Sequence, residues 1–376
     1  MQIKLLVLTL LALASPGAAT AQVNQALDVQ VAGTPDIVRI GAADQLVYEL
    51  HLTNFSSLPL RLDQLVVKAG GKGTPLKTYA GDELAKALGL VGPAEVDARI
   101  IPPGRRAVVY INAPVAADLA RGVISHDLTL GKVGADGASF TISGGTATPE
   151  TAPLPRLSPP LRGGPWVAVY SPGMERGHRR VFYATEGTAT LPGRFAIDYM
   201  KVDAGGKLAS GDANIPANHY GFGAEVLAVA DGTIIALRDD VPDPATRSGR
   251  TNPSIADASG NYVMLDIGGG RIATYEHMKQ GAPVKVGDRV KAGQVVGFLG
   301  FTGQASAPHL HFHLADRPSI LGAEGQPYVV TSLTRLGQYA TIDSFSRGET
   351  WPPVDRSETV RNSFPPPNLV VRFPGD

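Results

Sequence analysis

Cysteine is absent from the 376-residue chain, and its absence excludes several kinds of chemistry at once. No disulfide framework, thiolate zinc site, iron–sulfur cluster or cysteine nucleophile can form, so any metal ligands must come from His, Asp or Glu. An excess of charge is also lacking, since 34 basic side chains balance 34 acidic ones. Proteins that bind nucleic acid through its phosphates are usually basic, so we expect no nucleic-acid partner.

Long apolar runs are missing beyond the first twenty or so residues, so we expect no stable membrane insertion. Residues 1–21 read as a Sec-type signal peptide, in which Lys4 precedes an apolar stretch and Ala19-Thr20-Ala21 supplies a cleavage pattern. An uncleaved anchor is disfavoured because the apolar stretch is about half of the roughly 20 residues that a span needs. We expect an exported protein, periplasmic or secreted.

Glycine and proline are abundant, with 44 and 30 residues, and they separate short segments of alternating polarity that are typical of strands. The sequence predicts a mainly β protein. Its expected parts are an immunoglobulin-like β-sandwich over residues 22–143 with a helix at Gly81–Leu90, a proline-rich linker over 144–165, a second β domain over 166–316 and an irregular, proline-rich C-terminal extension over 317–376. Ala230-Asp231-Gly232 and Gly268-Gly269-Gly270 are predicted hairpin turns.

Histidines are concentrated in the second half of the chain. Six of the eight lie between positions 178 and 313, and three of them alternate in the sequence His309-Leu310-His311-Phe312-His313. On a strand this alternation places the three imidazoles on one face. Neutral imidazole ligates metals and can act as a general acid or base, so the pattern indicates a metal site. The alternative is a solvent-facing strand without a task.

The region from about Trp166 to Ala315 resembles the LytM/lysostaphin-type zinc metallopeptidases in three motifs that occur in that family's order. The motifs are "RFAIDYMKVD", "NYVMLDIGGGRIATYEHM" and "GDRVKAGQVVGFLGFTGQASAPHLHFHL". The resemblance implies an antiparallel β-sheet metallopeptidase domain that binds Zn²⁺. It also implies metal ligation by Asp198 and His311 and catalytic roles for His277 and His309.

Two further residues surround these motifs. His313 extends past the family's pattern, and we expect it to flank the site or contact the substrate. Glu276 precedes His277, and strand alternation predicts that its side chain points to the opposite face.

Arg194 departs from the family's pattern. The first motif of the family has a histidine four residues before its aspartate, and arginine cannot replace it because guanidinium stays protonated. A hairpin that turns at Glu186-Gly187 would bring His178 beside Arg194 and towards Asp198. We therefore predict His178 as the third metal ligand, with His219 as the second choice. Arg194 and His219 are otherwise expected to contact the substrate.

Two functions remain open. The first is a zinc endopeptidase that acts on peptidoglycan peptide, with a glycine-rich protein as a disfavoured substrate. The second is a non-catalytic LytM-like module that binds and regulates another cell-wall enzyme. Arg194 favours the second function, whereas retention of Asp198, His277, His309 and His311 favours the first. The N-terminal domain is expected to position or occlude the substrate groove, or to bind a partner, rather than to catalyse.

Overall fold

A computed structural model describes residues 26–71, 73–93, 97–134, 139–171, 174 and 178–375. The fold is mainly β, as the sequence predicts. No helix within these ranges is long and apolar enough to span a bilayer. The predicted signal peptide, residues 1–21, lies outside the described residues.

Alternating apolar side chains build two N-terminal sheets around one core. In the segment 60–69, for example, Leu60, Leu62, Leu65 and Val67 are fully buried while polar neighbours face outward. The sheet orders are β1-β2-β7-β5 and β4-β3-β8-β9, with β6 added to β3. The elements are β1 (Leu27–Ile40), β2 (Ala43–Asn54), β3 (Leu60–Ala69), β4 (Thr74–Ala80), α1 (Gly81–Ala87), β5 (Leu88–Leu90), β6 (Ile100–Ile101), β7 (Arg106–Pro114), β8 (Ile124–Lys132) and β9 (Phe140–Ala147).

Two packed sheets agree with the predicted sandwich, and the immunoglobulin-like strand order stays a prediction. The predicted helix over Gly81–Leu90 ends earlier, at Ala87, because residues 88–90 pair with β7 as a strand. The predicted linker begins inside a strand, since β9 continues to Ala147.

One large sheet forms most of the rest of the chain. Its main strands run in the order β19-β16-β17-β18-β21-β14-β11-β26-β24-β25. The elements are β10 (Arg156–Leu157), β11 (Gly163–Val169), β12 (Tyr183–Thr185), β13 (Thr188–Thr190), β14 (Ile197–Lys201), β15 (Glu225–Leu227), β16 (Gly232–Arg238), β17 (Asn261–Asp266), β18 (Ile272–Lys279), β19 (Arg289–Val290), β20 (Val295–Leu299), β21 (Leu310–Ala315), β22 (Gly325–Gln326), β23 (Val329–Val330), β24 (Leu333–Gln338), α2 (Ile342–Ser346), β25 (Pro353–Val360) and β26 (Leu369–Phe373).

Short 3₁₀ turns complete this part at His178–Arg180, Pro192–Phe195, Pro216–Asn218 and Ile255–Asp257. The predicted turn at Gly268–Gly270 joins β17 to β18. The predicted hairpin at Ala230–Gly232 is wrong, because β15 pairs with β20 instead of β16.

The C-terminal extension is not irregular, contrary to the prediction. Its last strand, β26, pairs with β11, so that Val371 lies opposite Trp166 in the middle of the large sheet. Phe364, Leu369 and Phe373 join the same buried core as Trp166. The prolines misled the sequence reading because they lie between and at the ends of these strands, where a missing N–H costs little.

Candidate metal centre and active site

Asp198 and His311 lie directly opposite each other on the adjacent strands β14 and β21. The Nδ1 atom of His311 is 2.8 Å from Oδ1 of Asp198. Leu310 and Phe312, the neighbours of His311, are buried on the other face of the sheet. The period-two pattern of β21 therefore fixes which face carries the site.

His178 reaches the same carboxylate from outside the sheet. Its Nε2 atom is 3.1 Å from Oδ2 of Asp198, and its ring centroid is 5.2 Å from that of His311. The predicted hairpin exists, with Tyr183 opposite Thr190, but its first strand begins at Tyr183, so His178 lies outside the hairpin. His178 instead begins a 3₁₀ turn that packs on the turn of Pro192–Phe195.

Gly193 makes this packing possible. A Cβ atom added to Gly193 would lie 2.7 Å from the Cα atom of His178, closer than real Cβ contacts. The two turns can approach each other only because position 193 has no side chain. This approach brings His178 to Asp198.

His309 and His277 line the same cavity as His178, Asp198 and His311. The ring centroids of His309 and His277 are 4.7 Å apart. Nδ1 of His309 donates to the carbonyl oxygen of Ala307 at 2.7 Å, and Nδ1 of His277 donates to that of Thr302 at 2.9 Å. Whenever the ring is neutral, such a bond places the proton on Nδ1 and leaves Nε2 as the acceptor nitrogen. Nε2 of His309 is 3.4 Å from Oδ1 of Asp198.

Glu276 joins the site, although the sequence placed it on the opposite face. The strand β18 carries a bulge, because Tyr262 pairs with Glu276 and Asn261 with Met278, so that no residue of β17 pairs with His277. His277 has φ 62°, a left-handed backbone that is unusual for histidine. The bulge breaks the alternation, so Glu276 and His277 both line the site cavity. We find no signal for this bulge in the sequence.

His313 also lines the cavity, as predicted for a residue that flanks the site. Its Nδ1 atom is 3.5 Å from Oε1 of Glu276, beyond hydrogen-bond distance, and neither ring nitrogen has a hydrogen-bond partner among the described residues. Burial, reinforced by the His311 and His178 rings, lowers the pKa of His313 well below its usual value. His313 is therefore a neutral member of the site.

Arg194 and His219 do not line this cavity, and their predicted contacts with substrate stay predictions. Arg194 points away and binds Glu49 of β2, with Nε 2.9 Å from Oε2. Nε2 of His219 is held by the carbonyl oxygen of Ala213 at 2.9 Å, in a separate loop. Among the described residues, the structure groups His178, and not His219, with Asp198 and His311.

Electrostatics distinguish the charged from the neutral members of the site. Burial opposes ionisation of Asp198, but the His178 and His309 rings outweigh it and hold the pKa of the carboxyl well below its usual value. Burial lowers the pKa of His311, yet the Glu276 and Asp198 carboxylates raise it to about 9. Burial, followed by the charges of His309 and His311, lowers the pKa of His277 well below its usual value.

The donor atoms of His178, Asp198 and His311 lie within 4.8 Å of one another. Two imidazoles and a carboxylate are a typical ligand set for catalytic zinc. Ligands about 2.0 Å from a tetrahedral ion lie roughly 3.3 Å apart, which is close to the 2.8 and 3.1 Å distances from Asp198 to the two rings. The three residues therefore fit Zn²⁺, and they line a cavity of about 260 Å³.

Two imidazoles and a carboxylate beside a cavity with two further histidines form a set that zinc hydrolases use. Residues 217–321 match the model of Peptidase family M23. The chain is 38% identical over 138 residues to the glycyl-glycine endopeptidase ALE-1 of Staphylococcus capitis, covering 35% of this chain and 34% of that protein. It is 44% identical over 54 residues to the peptidoglycan DD-endopeptidase ShyC of Vibrio cholerae, covering 14% and 12%.

Among solved structures, the catalytic domain of lysostaphin from Staphylococcus simulans is 23% identical, with a TM-score of 0.25, covering 44% of this chain and 88% of that one. The chain spans about a third or less of the length of the two curated relatives.

The match of residues 217–321 to Peptidase family M23 agrees with the resemblance to LytM/lysostaphin-type metallopeptidases that the sequence motifs indicate. The matched range contains His277, His309 and His311. The range begins after Asp198, so the segment that carries Arg194 and His178 lies outside it. Arg194, the departure from the family's pattern, therefore lies in a segment that the family model does not match.

Proposed function

We propose that the protein is an exported zinc metalloendopeptidase that hydrolyses peptide bonds in the cross-bridges or stems of peptidoglycan. The observation that carries this proposal is the meeting of His178, Asp198 and His311 at one side of a cavity whose other walls present His277 and His309. The M23 match and the similarity to a glycyl-glycine endopeptidase and a DD-endopeptidase support the reaction. The signal-peptide pattern supports export.

Zinc in such a set supplies Lewis-acid polarisation of a carbonyl and makes water acidic near neutral pH. His178, Asp198 and His311 would hold it. Asp198 contributes a buried negative charge, since its pKa lies well below the usual value. The ligands thus bring one carboxylate and two imidazoles, and the positive charge of the centre is only partly neutralised.

Proton transfer falls to His309. Its Nδ1–H is committed to Ala307, so Nε2 is oriented to accept a proton from the attacking water and to return it to the leaving amine. His277 has the same arrangement with Thr302. Because its neutral Nε2 can only accept, His277 suits orienting the water better than donating to an oxyanion.

The substrate is a peptide of small side chains. The cavity has a volume of about 260 Å³, and the residues that line it include Met174, Tyr183 and Leu321. A cavity of this size fits a peptide bond with glycine or alanine on either side better than bulky residues. Glycine-rich protein segments also have small side chains beside the peptide bond. They are the weaker candidate because one quoted relative is named a glycyl-glycine endopeptidase and the other a peptidoglycan DD-endopeptidase.

The test is release of soluble muropeptides from isolated sacculi by the zinc-loaded chain, followed by mass spectrometry of the products. The expected products carry new amino termini at a single type of peptide bond. The matched control is His309→Gln, which keeps the ligands and removes the proton acceptor. Release by wild type and not by the control supports the proposal; an inactive wild-type chain with zinc bound contradicts it.

The alternative is a non-catalytic module that regulates a cell-wall enzyme. The observation in its favour is Arg194, which stands where the family has a ligand. His178 offsets this observation because it supplies an imidazole to the same carboxylate. Binding to sacculi without release, by a chain that holds zinc, would favour the regulator.

A further inference from the structure

The turn that carries His178 is attached to the N-terminal sheets. We propose that Glu49 of β2, acting through Arg179, is a positioning residue that holds His178 as a metal ligand, so that the N-terminal domain forms part of the metal centre. This inference rests on the proposed function, because it assumes that His178 ligates the metal. It gives the N-terminal domain a role in building the site.

Arg179 is bound by the N-terminal domain along its whole guanidinium group. Nε donates to Oε1 of Glu49 at 2.6 Å, and Nη2 donates to the carbonyl oxygens of Tyr48 at 2.7 Å and Ile111 at 3.0 Å. Nη1 donates to the side-chain oxygen of Asn112. The Arg179 side chain is only 6% exposed and that of Glu49 only 1%. A buried guanidinium with this many partners leaves its own backbone little freedom to move.

The next residue strengthens the attachment. Arg180 donates from Nη1 to the carbonyl oxygen of Leu88 at 3.3 Å, and its guanidinium lies over the ring of Tyr110. Both contacts are again with the N-terminal domain. The residues directly after His178 are thus fixed to β2, β5 and β7 rather than to the sheet that carries Asp198.

His178 depends on this attachment because its second ring nitrogen is not held. Its Nδ1 atom is buried without a hydrogen-bond partner among the described residues, whereas ligating histidines usually have that nitrogen held by a hydrogen bond. Its backbone has φ 45°, in the left-handed region. The ring position is therefore set by the turn itself, which Arg179 anchors on one side and Gly193 contacts on the other.

Arg194 completes the arrangement. It occupies the second oxygen of Glu49, with Nε 2.9 Å from Oε2, and Nη1 lies 2.9 Å from Oε2 of Glu324. The buried carboxylate of Glu49 therefore joins Arg194, which stands in place of the family's ligand, to Arg179, which directly follows His178. Arg194 and His178 are two parts of one change, in which the ligand moves to a neighbouring turn and the N-terminal domain holds that turn.

The test is a double-mutant cycle on metal affinity in the full chain. The dissociation constant for Co²⁺ is measured for wild type, Arg179→Lys, His178→Ala and the double variant. Lysine keeps a positive charge opposite Glu49 but loses the forked contacts to Tyr48, Ile111 and Asn112. We expect Arg179→Lys to weaken Co²⁺ binding about 10- to 100-fold, as is usual when a residue that orients a ligand is changed. In the His178→Ala background we expect no further weakening.

The visible spectrum of bound Co²⁺ provides a second readout. For Arg179→Lys we expect the spectrum to approach that of His178→Ala, because one imidazole leaves the metal. Glu49→Gln, tested in case Arg179→Lys does not fold, is expected to give the same change. The control is Lys68→Met, which breaks the pair between Lys68 Nζ and Asp127 Oδ2 at 2.7 Å within the N-terminal sheets; unchanged affinity is expected.

Equal weakening by Arg179→Lys in both backgrounds, or unchanged affinity in the wild-type background, overturns the positioning role and leaves the metal site intact. Failure of wild type to bind Co²⁺, or unchanged affinity in His178→Ala, overturns the proposed metal ligands as well.

Discussion

Nε2 of His178 lies 3.1 Å from Oδ2 of Asp198, whereas Nε2 of His309 lies 3.4 Å from the other oxygen, Oδ1. In the family's motif a histidine on the same segment as the aspartate would serve, and here that position is Arg194. The proposed metal site thus combines a residue from a 3₁₀ turn with residues from two sheet strands.

His178→Ala is expected to weaken zinc binding by at least tenfold, because it removes one of three protein ligands. Affinity is measured by competition with a chromophoric chelator. His219→Ala is the matched control, since its ring bonds to Ala213 away from the cavity, and its zinc affinity should equal that of wild type. Equal losses in the two variants would contradict the assignment.

Gly193→Ala is expected to weaken zinc binding by about tenfold, because the new Cβ would press on the backbone of His178 at 2.7 Å. The measurement is the same chelator competition, together with thermal unfolding. Gly71→Ala is the control, since a Cβ there meets nothing within 4 Å. A Gly193→Ala chain with wild-type zinc affinity would show that the contact does not position the ligand.

His309→Gln is expected to lower the rate of peptide-bond hydrolysis by about 10²- to 10⁴-fold, the usual contribution of a general base. Zinc content should stay at the wild-type value, since His309 is not among the three proposed ligands. Rates come from a quenched fluorescent peptide with small residues, and zinc from atomic spectroscopy of the same samples. Loss of zinc together with activity would make His309 a ligand instead.

His126 makes the N-terminal domain sensitive to acid. It is fully buried, with Nε2 2.6 Å from the Tyr48 hydroxyl and Nδ1 3.0 Å from the Gly145 carbonyl oxygen. Burial lowers its pKa to about 4, and the nearby Lys68 and Asp127 act in opposite directions. The folded state therefore prefers the neutral ring.

This preference stabilises the fold above about pH 6.5, the unfolded pKa, and the stabilisation is lost as the pH falls towards 4. The loss is on the order of 3 kcal/mol. We expect the free energy of unfolding, from urea denaturation at each pH, to fall more steeply between pH 7 and 4 for wild type than for His126→Gln. Parallel curves for the two chains would contradict this role.

The sequence predicted the parts of the site that follow strand periodicity. His309, His311 and His313 line one cavity because alternation turns them away from the core that contains Leu310 and Phe312. Asp198 was expected beside His311 only through the resemblance of the motifs, and the structure pairs the two residues. His178 was placed near Asp198 by counting across a hairpin turn. The count gave the correct neighbourhood, although the residue lies on a turn and not on a strand.

Three features could not be derived in this way. The bulge at His277 turns Glu276 into the cavity, and a one-residue irregularity in a strand has no reliable sequence signal. The buried contact of Glu49 with Arg179 joins residues that are far apart in the chain. The strands after residue 317 are hidden by their prolines, because local propensity does not reveal pairing with β11.

The most direct measurement is a crystal structure of the zinc-loaded chain with anomalous data at the zinc edge. We predict one zinc peak, with Nε2 of His178, a carboxylate oxygen of Asp198 and Nδ1 of His311 each about 2.0 to 2.2 Å from it. A zinc peak without His178 in its coordination sphere, or with another side chain in that place, would contradict the account.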